Sequence, residues 1–141
     1  MAAIKTFNPE NHPALAPEYS HVSVATFGPG TKLISVAGQI GSSDESPYTF
    51  PPTLSEQVKL ALINVDTCLA AAGASKRDII SMRQYVKGFG KLGPEDQKGR
   101  AAAVMEWLGD MTPPPCTLVG VESLAIPDLL VEIEVTAVIN G

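Results

Sequence analysis

The sequence predicts a single α+β domain of order β-β-α-β-α-β-β, with a mixed sheet and two helices on one face. Three observations predict it. Two β-branched runs near the start flank a Gly-Pro-Gly break. Two stretches with apolar residues at helical spacing alternate with strand-like runs. The last run, Leu129 to Ile139, alternates strictly, yet places two carboxylates on a row that also carries Leu130 and Val138.

Taken in order, residues 1–18 contain Pro9, Pro13 and Pro17 and show no period, so they read as an irregular lead-in. His21 to Phe27 and Lys32 to Ala37 form a hairpin around Gly28-Pro29-Gly30. Gly38 and Gly41 continue the second strand and suggest a bulge or a close backbone approach. Ser42 to Pro52 is a polar, proline-bearing loop. Thr53-Leu-Ser-Glu56 is a capping box, which opens a helix running to about Ala72. Val58, Ala61, Leu62, Val65, Leu69 and Ala72 share one face of it, and Gly73 suits the residue after its cap. Cys68 lies beside that stripe and reads as core packing.

Asp78 to Val86 reads as the third strand. Pro94 and Glu95 suit the first turn of a second helix, which reaches about Leu108 with Ala101, Val104, Trp107 and Leu108 inward. Thr112 and Pro113 to Pro115 stop it. Cys116 to Leu124 and Leu129 to Ile139 supply the last two strands. On the closing strand, Leu129, Val131, Ile133, Val135, Ala137 and Ile139 form a row that can bury against the helices. The other row is half apolar, as an oligomer interface leaves on a single chain.

A chain of 141 residues fits one domain spanning 1–141. Folding at this size buries roughly two-thirds of the unfolded surface, so a core needs no staples. With 10 basic and 15 acidic residues, the net charge of −5 does not suggest a nucleic-acid partner. Lys87, Lys91, Lys98 and Arg100 lie close in sequence and read as a solvated rim. Cys68 and Cys116 make no disulfide framework. The start has no signal-peptide pattern and no apolar run suits a membrane span, so the expected compartment is cytoplasmic. His12 and His21 stand apart from other ligand-type residues in sequence, and no metal site is expected of them.

Several stretches together resemble the reactive intermediate deaminase A family, RidA or YjgF. They are Tyr19-Ser20, Ser35-Val-Ala-Gly-Gln-Ile40, Leu69-Ala-Ala-Ala-Gly-Ala-Ser75 with Asp78-Ile79, and Tyr85-Val86. The tail adds Pro113-Pro-Pro-Cys-Thr-Leu-Val-Gly-Val121 and Pro127-Asp-Leu-Leu-Val-Glu-Ile-Glu134. The resemblance runs from Tyr19 onward, and the tail is its most specific part. It implies a chorismate-mutase-like fold, a homotrimer, and small-molecule clefts between subunits. It implies hydrolysis of 2-imino acids to 2-keto acids and ammonia without metal or organic cofactor. In that chemistry an arginine grips the substrate carboxylate and a glutamate handles the attacking water.

Residue by residue, the resemblance places Tyr19, Ala37 and Gly38 as substrate-binding positions and Glu132 as the catalytic glutamate. Ala37 stands where the family has a serine. Cys116 stands where the family has its arginine, and a thiol offers neither fixed charge nor a double donor. No equivalent of the family's second-helix asparagine is found. The expectation is therefore a divergent member with weak or no activity on simple 2-imino acids. Cys116 reads either as a pocket wall or as a nucleophile, the latter needing a cation from Arg83, Lys87 or Arg100. Backbone amides near Cys116 and Thr117 are candidates for an oxyanion hole. Glu132 reads as a partly desolvated working carboxylate, or as half of a salt bridge across a subunit interface, with Arg83 as the candidate partner. Three functions stay open: an enzyme of imine, enamine or carbonyl intermediates, a non-catalytic metabolite-binding trimer, and a ribonuclease or translation inhibitor.

Overall fold

The computed structural model describes residues 2–43 and 49–141. The predicted Ser42–Pro52 loop thus lies partly outside the described residues. The strands are β1 (Ala3–Phe7), β2 (Val22–Phe27), β3 (Thr31–Ile40), β4 (Ile79–Lys87), β5 (Cys116–Val121) and β6 (Val131–Asn140). The helices are α1 (Leu54–Ala71) and α2 (Pro94–Leu108). One sheet runs in the order β1-β2-β3-β6-β4-β5. Its β4–β5 pair is parallel and the other pairs are antiparallel. The sheet is therefore mixed, as the alternation of helices and hairpins predicts.

Strand β1 corrects the reading of residues 1–18 as an irregular lead-in. Four of its five residues are exposed, and only Phe7 packs against the core. Its backbone pairing to β2 makes it a strand. A strand held by an edge ladder, with no buried row, leaves no period in the sequence.

Local chemistry sets the helices. Thr53 caps α1, its hydroxyl oxygen accepting from the Glu56 amide at 3.3 Å. At the other end Gly73 takes φ +81°. Its amide bonds Ala70 O at 3.0 Å, and the Ala74 amide bonds Leu69 O at 2.9 Å. That pair of bonds is a Schellman motif, which needs a left-handed residue at this place. On α2, Pro94 stands in the first turn with Glu95 and Asp96 against the helix dipole.

The predicted α1 stripe is buried from Val58 to Leu69, and Cys68 is fully buried beside it. Helix α1 packs on β3 and β6, and α2 packs on α1. The α2 face differs from expectation. Ala103, Val104 and Leu108 are buried, whereas Ala101 is exposed. The inward stripe begins at Arg100, a polar residue that a search for apolar spacing passes over.

The closing strand behaves as its alternation predicts. Val131, Ile133, Val135 and Ala137 are buried against the helices, while Glu132, Glu134, Thr136 and Val138 lie half-buried on the other face. A one-residue bulge interrupts β3: Val36 pairs with Val135 and Gln39 with Ile133. Simple alternation from buried Val36 would turn Gln39 outward. The extra residue turns it inward instead, where it is 1% exposed.

Candidate active site

A cavity of about 470 Å³ opens beside the bulge. Glu132, Gly38, Ala37 and Tyr19 line it, with Ala125, Ile126 and Leu129 from the turn before β6. Four of the six predicted site residues therefore meet in one place. Glu132 stands opposite Ile40 on β3 and Tyr85 on β4, in the centre of the sheet. Its side chain packs against Gly38. A Cβ built there would come within 2.0 Å of Glu132 Oε1, so the glycine makes room for the carboxylate. Gly41 is close-packed for another reason: its neighbour is the Gln57 backbone of α1, at 2.5 Å from a built Cβ.

Burial pushes the Glu132 carboxyl above the ordinary carboxylate range, and the negative Glu134 beside it adds to that shift. Within the single chain Glu132 is not paired with Arg83. Arg83 Nη1 instead lies 3.4 Å from Glu134 Oε1, and the Tyr85 hydroxyl donates to the same oxygen at 2.5 Å. Glu134 is thus tied down structurally, and Glu132 is left facing the cavity.

Tyr19 stands at the rim. Its hydroxyl accepts from the Leu15 amide at 2.9 Å, and its ring meets His21 edge-on at 5.4 Å. Ala37 is fixed by its amide donating to His21 O at 2.8 Å. Gln57 anchors the opposite wall. Its amide donates to Pro51 O and Asp128 O, both at 2.9 Å, and its oxygen accepts from Leu130 N at 2.8 Å.

Cys116 and Thr117 do not line this cavity. Cys116 is exposed on β5 and pairs in register with buried Met82, on the helix side of the sheet. Glu132 pairs with Tyr85 on the opposite side. Thr117 pairs with Arg83 and so shares Glu132's side, but β4 separates their strands. Of the three cations considered for Cys116, Arg100 is the one connected to it. Arg100 Nη1 donates to Gln84 Oε1 at 3.0 Å, and Gln84 Nε2 donates to Cys116 Sγ at 3.4 Å. Arg100 therefore does not belong to a solvated rim. Lys87, by contrast, reaches Pro127 O at 2.9 Å.

Sequence reasoning missed the polar floor of the cavity. His12, His21 and Gln39 all line it and are buried to 4%, 4% and 1% exposure. Their separation along the chain hid them, and the two glycines flanking the bulge were the available signal. No helix among the described residues is long and apolar enough to cross a membrane.

Comparison with known proteins places this arrangement. Residues 9–139 match the family model described as endoribonuclease L-PSP. Comparison with curated protein sequences finds no match. Solved structures superpose over nearly the whole chain. The YjgF gene product of E. coli is 27% identical at a TM-score of 0.77, covering 95% of this chain and 98% of its own. Rv2704 of Mycobacterium tuberculosis, described as a YjgF/YER057c/UK114 family member, is 26% identical at a TM-score of 0.72, covering 97% and 100%. E. coli TdcF, solved with bound serine, shares the fold at 23% identity and a TM-score of 0.77, covering 96% and 99%. The sheet of six strands with two helices is the chorismate-mutase-like fold, and the chain belongs to the endoribonuclease L-PSP family of YjgF/Rid proteins.

Proposed function

We propose that the Glu132 cavity hydrolyses small imine, enamine or related carbonyl intermediates, and that a homotrimer completes it. The observation that carries this reading is Glu132 itself: a half-buried carboxylate with a raised proton affinity, seated on Gly38 and facing a cavity. A carboxylate of that kind can take a proton from water as the oxygen attacks a C=N carbon. That proton passes to nitrogen, giving a carbinolamine; Glu132 then takes the carbinolamine's O–H proton and delivers it to the nitrogen as the C–N bond breaks, so that a C=O product and ammonia leave with the carboxylate regenerated. No step of that sequence needs an oxidant or a metal.

The rest of the site supports a second copy. Cys116 projects from the sheet face opposite Glu132, so the two can share a cleft only if another chain supplies one of them. The half-apolar face carrying Val138, Leu33 and Tyr85 offers the surface for that contact. The serine bound by TdcF supports an amino-acid-sized ligand.

Specificity is altered by Cys116. Without a fixed guanidinium, a 2-imino acid's carboxylate loses a contact worth roughly 1.5–3 kcal/mol. Simple 2-imino acids are then poor substrates, and imines without a carboxylate lose nothing by the change. The test is ammonia release from freshly generated 2-iminopropanoate. A rate typical of the family sinks the altered-specificity reading. Ribonuclease activity is disfavoured by the net charge of −5. A metabolite-binding trimer without turnover is the outcome if calorimetry shows binding and no imine is hydrolysed.

A further inference from the structure

The cavity beside Glu132 carries charge of one sign. Two carboxylates, Glu18 and Glu132, line it, and no lysine or arginine is among its described lining residues. The basic side chains nearby on this sheet face are turned elsewhere. Arg83 goes to Glu134 Oε1 at 3.4 Å and Lys87 to Pro127 O at 2.9 Å. His12 and His21 belong to the buried floor, whereas Glu18 is exposed at the mouth.

The rest of the exposed lining is apolar. Pro13, Leu15 and Ala125 are exposed, and Ala16 and Ile126 are half-buried. Two turns hold these residues. The Leu15 amide donates to the Tyr19 hydroxyl at 2.9 Å, which closes residues 15–19 and carries Leu15 and Glu18 together. The Leu129 amide donates to Ile126 O at 3.0 Å, which fixes Ile126 before β6.

Charge and volume together choose a ligand. An anionic ligand would meet two carboxylates with no guanidinium or ammonium to offset them. A protonated C=N group is favoured by the same field, and it is the form of an imine most open to attack by water. The volume of about 470 Å³ suits a small molecule with a sizeable substituent. An imine of one or two carbons would leave Leu15 and Ile126 in contact with water, and a larger apolar group covers them.

We propose that this cavity selects the iminium cation of an apolar amine, branched aliphatic or benzylic and without a carboxylate, and that Glu18, Leu15 and Ile126 set that preference. The inference rests on the hydrolysis proposed for Glu132. Glu18 and the two apolar residues determine specificity and move no proton. The reaction balances: iminium and water give an aldehyde or ketone and ammonium, as the C=N bond is replaced by C=O. The additional proton of the cation leaves with the ammonia.

The experiment is calorimetric titration of the full chain with two ligands that cannot be hydrolysed, benzylammonium and benzoate. Wild type is expected to bind the cation about tenfold or more tightly than the anion, with an affinity that falls as salt rises. Glu18→Gln is expected to weaken benzylammonium roughly twofold to fivefold, as suits an exposed ionic contact. Glu18→Lys is expected to reverse the preference. Glu18 is exposed, so both variants keep the fold. Ile126→Ser is expected to weaken benzylammonium and leave methylammonium unchanged. No binding of benzylammonium, or equal affinity for benzoate, overturns the proposal. So does a cation affinity that Glu18→Lys leaves unchanged. Binding is read without turnover, so the two readings fail separately. Cation binding without imine hydrolysis removes the reaction alone, and hydrolysis without a cation preference removes this inference alone.

Discussion

Cys116 and Glu132 project from opposite faces of one sheet, the first in register with Met82 and the second with Tyr85. A single chain therefore cannot bring them together. In the proposed trimer, the cavity around Glu132 would be half of a site whose other wall a neighbouring copy supplies. On that proposal, the half-apolar sheet face would serve both assembly and catalysis.

Gly38→Ala tests the seat of the carboxylate. The added methyl would fall 2.0 Å from Glu132 Oε1, and the β3 bulge limits how far the backbone can retreat. Overpacking of this kind costs roughly 1–3 kcal/mol. A lower melting temperature and loss of imine turnover are expected together. Full turnover in a folded Gly38→Ala protein would show that Glu132 need not occupy this position.

The raised proton affinity of Glu132 makes stability depend on pH with a definite sign. Between the ordinary carboxylate range and the folded-state value, the folded chain holds a proton that the unfolded chain has lost. Stability therefore falls as pH rises across that window. Below the window both states are protonated and the effect vanishes. Glu132→Gln is expected to be more stable than wild type at neutral pH, with the difference disappearing in acid. Urea titrations at several pH values measure it; a pH-independent difference contradicts the assigned burial.

Arg100 gives a prediction about packing. Its Nη1 is held by Gln84, and its Nε is buried with no hydrogen-bond partner among the described residues. Gln84→Leu removes the Gln84 oxygen that accepts from Arg100 and the Gln84 nitrogen that donates to Cys116. A loss of roughly 1–3 kcal/mol is expected in denaturant unfolding. An unchanged midpoint would mean that Arg100 finds water instead.

These residues also show what was readable in the sequence. The strands and helices of the main body were legible because their buried rows have periods: Val131 to Ala137 at two, Val58 to Leu69 at helical spacing. Glu132 was legible as an anomaly in one such row. Strand β1 was not, because an exposed edge strand has no buried row. The inward turn of Gln39 was not, because a bulge shifts the alternation at the one point where it matters. Arg100 was missed because a polar residue can open an apolar stripe when Gln84 receives it. His12, His21 and Gln39 are joined only by tertiary structure, and nothing in their spacing announces it.

Restoring a guanidinium is the complementary test of Cys116. Cys116→Arg is expected to improve affinity for 2-imino acids tenfold to about a hundredfold, the value of one charge-assisted bidentate contact. Steady-state kinetics on 2-iminopropanoate would report it as a lower KM. A KM that stays fixed would place position 116 outside the substrate's reach.

The most direct measurement of the account is ammonia release from freshly generated imines, with and without an α-carboxylate, by wild type and Glu132→Gln. Wild type is expected to turn over carboxylate-free imines with little preference for 2-imino acids, and Glu132→Gln to lose that turnover. Undiminished hydrolysis by folded Glu132→Gln would contradict it.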